Sequence, residues 1–277
     1  MKRWFWLLPL WCCLNVVCAL TLEITQGVVG AAPIAVADFY NSSGSEVDEA
    51  SKIGEIIRNN LRNTGRFAPL ETGELPNSAP RIGAVDVLDW LHLGVEDIVV
   101  GQVEAIGHDR YNVSFELLEV YQSKSVDKSN ILLHQTFRNI SGERLRALAH
   151  HISDLIFERL TGIRGAFSTR IAYVVRAEKR GHPEYHLDIA DADGHNAKTL
   201  FVSPEPVMSP AWSKDGKRLA FVSFENFRAE VYIVDTVTGH RKRVSHSKGI
   251  NGAPAWSPDG RQLALVLSKY GSPHYIY

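Results

Sequence analysis

Few residues of this chain could do chemistry, and the first to test are His150 and His151, adjacent in "RALAHHISDL". Imidazoles hold a divalent metal when two or more converge, but neighbours on a helix diverge by about 100°. No H-E-x-x-H or equivalent spacing accompanies them, so a structural or solvated role is expected. The three cysteines, Cys12, Cys13 and Cys18, stand near the N-terminus. Once that segment is removed, neither a thiolate metal site nor a cysteine nucleophile is available. A nucleophile elbow G-x-S-x-G is absent, as are the phosphate-cradling patterns G-x-x-x-x-G-K-[ST] and G-x-G-x-x-G. None of the patterns tested supplies a nucleophile, a phosphate cradle or a metal set, and no cofactor is expected.

The opening "MKRWFWLLPLWCCLNVVCA" sets Lys2 and Arg3 before an apolar run from Trp4 to Val17. Val17 and Ala19 occupy the −3 and −1 positions of a small-residue cleavage site. Residues 1–19 therefore read as a secretory signal peptide cut between Ala19 and Leu20. An uncleaved anchor would need a run of roughly 18–20 apolar residues. A lipoprotein signal at Cys18 would want a smaller residue than Val17 before it. Without Lys2 and Arg3, the 30 basic residues fall to 28 against 31 acidic ones, a net charge of −3. That balance points to neither nucleic acid nor an anionic membrane as partner, and no membrane span is expected after cleavage. A secreted chain without disulfides must be held by packing alone.

The elements follow from periodicity. Residues 20–32, "LTLEITQGVVGAA", alternate and then turn Gly/Ala-rich, an extended arm that reads either as a frayed edge strand or as a partner-binding strand. "PIAVADF" (33–39) is a buried strand. The next segment carries a helix with Ile53, Ile56, Ile57 and Leu61 on one face, stopped by Gly65. "RFAPL" is a strand and "VDVLDWLHLG" a short helix, followed by the strands "DIVVGQVEAIG", "YNVSFELLEVY" and "ILLHQTF". A last helix shows the stripe Leu145, Leu148, Ala149, Ile152, Leu155, Ile156, Leu160 and stops at Gly162. Residues 33–162 thus form an α/β domain.

From residue 163 the pattern changes to short strands and turns. "SPAWSKDGKRLAFVS" returns 44 residues later as "APAWSPDGRQLALVL". Each copy divides into four strands joined by tight turns, and the uniformly apolar second strand must be covered on both faces. A unit of this kind, buried by copies of itself, is a β-propeller blade. A weaker first copy aligns Ile171-Ala172 with Leu219-Ala220 and puts Phe167 in the tryptophan slot. Residues 163–277 then hold about two and a half four-stranded blades. Such a propeller does not close, so the chain is expected to be a shortened product or to have its edge covered by something else.

The stretches "GQVEAIGHDRYNVSFELLEV", "FERLTGIRGAFSTRIAYVV" and "NGAPAWSPDGRQLALVLSKYGS" resemble the TolB family, periplasmic propeller proteins of the Tol-Pal system. The resemblance covers about the N-terminal two thirds of such a protein. It implies an α/β N-terminal domain followed by an all-β, incomplete β-propeller of an expected six blades, with the C-terminal blades missing. It also implies no enzymatic activity and a periplasmic location. The implied role is a protein-binding scaffold, linking TolA and the lipoprotein Pal for outer-membrane invagination during cell division and for envelope integrity. Two alternatives are a remnant that has lost Pal binding and the propeller gate of a peptidase-like enzyme. The arm, with Leu22, Glu23, Ile24, Thr25, Gln26 and Gly27, would engage TolA.

In a four-stranded blade, the segment entering the first strand and the loop between the second and third lie at one end. "EPVMS" (205–209), "GINGA" (249–253), "ENFRA" (225–229) and "KYGSP" (269–273) are therefore the candidate docking loops. Pro206, Val207, Met208, Ser209, Asn251, Gly252 and Ala253 are the candidate Pal contacts. Met208 also reads as core, and Asn251-Gly252 as a plain turn. The family often has His before its Asn-Gly-Ala; here that position is Ile250.

Overall fold

Apolar residues without a polar alternate, as in Pro33-Ile34-Ala35-Val36, need a strand covered on both faces, and β1 (Ala32–Val36) has that cover. The computed structural model describes residues 30–41, 48–75, 80–86, 88–120, 130–268 and 275–276. The leader, the cleavage site at Ala19 and Leu20, the arm residues Leu22 to Gly27 and the loop 269–273 lie outside the described residues.

β1 runs parallel to both β3 (Phe67–Pro69) and β4 (Asp97–Gly107), and β2 (Tyr40–Asn41) lies parallel beside the far part of β4. β5 (Arg110–Glu119) and β6 (Ile131–Ser141) continue antiparallel, giving the order β3-β1-β4-β5-β6. Alternation sorts the side chains. Val99 and Val103 of β4, with Val113, Phe115 and Leu117 of β5, face the helices α1 (Asp48–Asn63) and α3 (Leu145–Thr161). Ile98, Val100 and Leu118 face the other way, under Trp90 of the short α2 (Leu88–Leu91). The predicted stripes of both long helices are the buried ones: Ile53, Ile57 and Leu61 meet Leu148, Ala149, Ile152 and Ile156 in one cluster. Each such side chain contributes about 1.5–3 kcal/mol through burial. Gly162 ends α3 in the left-handed conformation expected of it, φ 71°.

One position in this sheet is electrostatically unfavourable. Asp97 faces Glu119 across the β4–β5 ladder and follows Glu96. Burial first, then these two carboxylates, push its pKa up to about 6. A folded-state pKa above the unfolded value means that stability is lost as pH rises from about 4 to about 6. Asp97→Asn should therefore stabilise the protein at pH 7 by about 1 kcal/mol, discounted for solvent screening. Urea unfolding at pH 7 and pH 4 checks this, the gain being present at pH 7 and absent at pH 4.

The β-rich part forms three further sheets. β7 (Arg170–Lys179), β8 (His182–Asp191) and β9 (Lys198–Ser203) make the first; β10 (Val207–Trp212), β11 (Arg218–Ser223), β12 (Glu230–Asp235) and β13 (Arg241–Ser245) the second. β14 (Asn251–Trp256), β15 (Leu263–Leu267) and β16 (Tyr275–Ile276) make the third. These ten strands carry the content of two and a half four-stranded blades, in an open array. The middle sheet alone has four strands among the described residues. In the first, no strand precedes β7, because residues 163–169 are drawn onto α3 instead. Phe167 consequently packs edge-on against Phe157 of that helix, ring centroids 5.7 Å apart.

The repeated units superpose in register. Trp212 pairs with Leu219 and Trp256 with Leu263, each two positions beyond the same irregularity in the first strand. Arg170 stacks on Trp212 (4.8 Å to the ring centroid) and donates to the Gly216 carbonyl; Arg218 stacks on Trp256 (4.6 Å) and donates to the Gly260 carbonyl at 2.8 Å. Both junctions between successive sheets are thus clasped by an arginine held over an indole.

Candidate docking face

Chain direction assigns the two ends of the sheets. β10 and β12 run away from the segments 204–206 and 224–229, and β11 returns towards them. These segments, with 246–250 and the β7–β8 turn at Arg180-Gly181, lie at one end. At the opposite end, the β8–β9 turn carrying Asp193 meets α3 through Arg146, which also reaches Asp191. The α/β unit is therefore attached at the end away from the candidate docking loops.

At the docking end the seven candidate residues divide. Val207 is buried in the inter-sheet core beside Leu219 and Phe221. Pro206 is half-buried, its carbonyl accepting from the Phe224 amide at 3.0 Å, which fixes the neighbouring loop. Met208 is 43% exposed and so stands outside the core. Ser209 and Ala253, 44 residues apart in sequence, are both exposed and both left-handed, φ 54° and 46°. Neither residue type favours that conformation, and it sits in the matching β10 and β14 irregularities. Gly252 is half-buried.

Asn251 points inward and is fully buried. Its Oδ1 accepts from Ser245 Oγ (2.5 Å) and the Ser247 amide (3.0 Å), and its Nδ2 donates to the Ser247 carbonyl at 2.7 Å. It shapes the loop that holds Ile250, which is 47% exposed.

Sequence reasoning treated 225–229 as a loop without seeing its anchor. Glu230 is 0% exposed, yet accepts from Asn226 Nδ2 (2.8 Å), Tyr232 Oη (2.8 Å), Arg228 Nε (3.0 Å) and Arg243 (3.1 Å). Burial raises a carboxyl pKa, but these four donors outweigh it and hold Glu230 down at about 2. Burial and the nearby Glu225 and Glu230 push the Tyr232 hydroxyl well above its ordinary range. Arg241 pairs with Glu225 at 3.0 Å and stacks on both Phe201 and Tyr232.

At the other end, His150 is buried: Asn60 Nδ2 donates to its Nδ1 (3.0 Å) and to Ser153 Oγ (2.8 Å). An accepting Nδ1 leaves the proton on Nε2, which faces Asp193 at 3.6 Å. Burial lowers the His150 pKa, Asp193 opposing that and Arg146 adding to it. His150, Asp191 and Asp193 offer three ligand atoms within 4.8 Å. The Arg146 guanidinium already engages both carboxylates, so the charge a metal would supply is provided by the chain. His151 is exposed and lies edge-on to Phe137. Beside this cluster a cleft of about 600 Å³ opens between α1 and α3, lined by Lys52, Ile56, Asn59, Arg146 and His195 among others.

The fold and its loop-bearing end define a class: a β-propeller-type protein carried on an α/β domain. Family models agree with both parts, the TolB amino-terminal domain over residues 20–126 and the TolB beta propeller domain over residues 157–277. The chain belongs to the TolB family. It is 46% identical over 237 residues to the Tol-Pal system protein TolB of Coxiella burnetii, covering 85% of this chain and 53% of that protein. With the same protein of Legionella pneumophila it is also 46% identical, covering 86% and 52%. The crystal structure of TolB from Acinetobacter baumannii matches with a TM-score of 0.74 and 36% identity, over 92% of this chain and 59% of that one. The chain thus spans about half the length of the curated relatives it matches, against the two thirds expected.

Proposed function

We propose that this chain is a periplasmic, non-enzymatic scaffold of the Tol-Pal system, holding Pal at the loop-bearing end of its sheets and TolA through the N-terminal arm. The role it serves is outer-membrane invagination during division and envelope integrity. The observation that carries the Pal part is the matched pair of left-handed residues, Ser209 and Ala253, each fixed at the same point of successive sheets. Strained backbone repeated in exposed, ordered segments is what a pre-organised recognition surface requires. Family membership and the signal-like leader support the location, and among the described residues no helix is long and apolar enough to cross a membrane.

The arm supplies a separate test. Deleting residues 20–32 from the mature chain should abolish capture by immobilised TolA while leaving capture by the soluble domain of Pal intact. TolA retained by the deletion variant would remove the arm from the proposal, and absence of Pal binding by the unmodified chain would remove the loop face.

A further inference from the structure

Phe227 is 85% exposed and has φ 56°, a conformation that a bulky residue adopts at a cost. Nothing in the packing of the middle sheet uses its ring. The backbone around it is nonetheless held firmly: Asn226 on one side and Arg228 on the other both donate to the buried Glu230, while the Phe227 amide donates to the Phe224 carbonyl at 2.7 Å. Phe224 is itself tied to Pro206. An aromatic ring held in water by a strained loop whose flanking side chains are clamped has the properties of an interface anchor, whose conformational cost is met before a partner arrives.

The surroundings define what the ring would enter. Arg228 and Arg243 set two guanidiniums against one Glu230 carboxylate, Glu225 is matched by Arg241, and at the same end of the sheets Lys248 stands against Glu205, so cations outnumber carboxylates by one. The local charge is positive, so the complementary surface is acidic. Met208 and Ile250 extend the exposed apolar surface at the same end of the neighbouring strands.

We propose that Phe227 is the apolar anchor of the docking face, inserting into a carboxylate-edged pocket on the folded partner. This rests on the Pal reading above. A single rigid ring suits a pocket on a folded domain better than a lipid surface, where binding scales with buried apolar area.

The test is calorimetric titration of the soluble domain of Pal into the mature chain and into Phe227→Gly, Phe227→Ala and Phe227→Trp. Glycine and alanine should weaken binding at least about tenfold, and tryptophan should retain it. Phe227→Gly should melt no lower than the unmodified protein, since glycine accepts the left-handed backbone without strain. If the unmodified chain binds Pal and the glycine variant binds within about twofold, the anchor assignment fails while the Pal reading stands. If the unmodified chain does not bind Pal, both fall. Phe227-dependent binding to phosphatidylglycerol vesicles, with no effect on Pal, would overturn the protein pocket in favour of lipid.

Discussion

Replacing Glu230 by glutamine should destabilise the β-rich part by about 3 kcal/mol at pH 7, although the shape of the side chain is kept. All four of its partners, Asn226 Nδ2, Tyr232 Oη, Arg228 Nε and Arg243 NH1, are donors. A glutamine offers one accepting oxygen and turns an NH₂ group towards the rest, leaving buried donors opposed. The two arginines are about half exposed and regain water, which keeps the loss below that of a fully enclosed ion pair. The pH dependence has a definite sign. With the folded pKa depressed from 4.5 to about 2, the stabilisation is complete above about pH 5 and disappears as pH falls through 4.5 towards 2. Denaturant unfolding of the two proteins should show a gap at pH 7 that narrows steadily below pH 4.5. A gap independent of pH would mean that lost packing, not charge, is responsible.

The second large effect concerns the junction between α/β unit and propeller. Asp154, on the face of α3 turned towards the first sheet, accepts from the amides of Phe167 (2.7 Å) and Ser168 (3.2 Å) and from the Ser168 hydroxyl. It is this carboxylate that keeps residues 166–168 on the helix. A side chain at Gly165 would meet the Asp154 Cα at 2.6 Å, so the linker approaches as closely as backbone allows. Asp154→Ala removes the charged acceptor of two amides, one on half-buried Phe167 and one on exposed Ser168, and should cost about 2 kcal/mol. Because the loss is at a joint, it should appear as separate melting of the two parts and as increased proteolysis at residues 163–169. A single cooperative transition at unchanged temperature would show that the joint is held elsewhere, with Arg146 and Asp193 the remaining candidates.

Much of the architecture was legible because it rests on short-range rules. The stripes of α1 and α3, the apolar β1 and the Ser-x-Asp-Gly turns each announce themselves within a dozen residues. In both turns the serine hydroxyl donates to the aspartate (2.6 and 2.5 Å) while glycine takes φ 66° or 68°, the conformation those residue types favour. What escaped depends on residues distant in sequence. That the first sheet would lack a leading strand follows from Asp154 seizing the linker, which no local pattern encodes. Asn251 in "INGA" looks like an exposed turn residue, and its burial depends on Ser245 and Ser247 curling over it. In the sequence Glu230 looks like a solvent-facing residue, since glutamates are rarely buried, and Phe227 stands out only beside that clamp. The arginine clasp did leave a trace: Arg170 and Arg218 both directly precede an aliphatic-Ala pair, and the third copy has Gln262 there.

The α/β unit grips the first sheet at one end, and the docking loops stand at the other end of the sheets beside it, which has a mechanical consequence. A tension applied between a molecule gripping the loops and one tethered to the α/β side would run lengthwise along the strands of the first and middle sheets, passing between them through their shared core and the Arg170–Trp212 clasp. Their ladder bonds lie across that direction, so they would share the load in shear instead of opening one after another like a seam. The same hydrogen bonds that hold the middle sheet together would then make it a stiff tie-rod between two pulling partners.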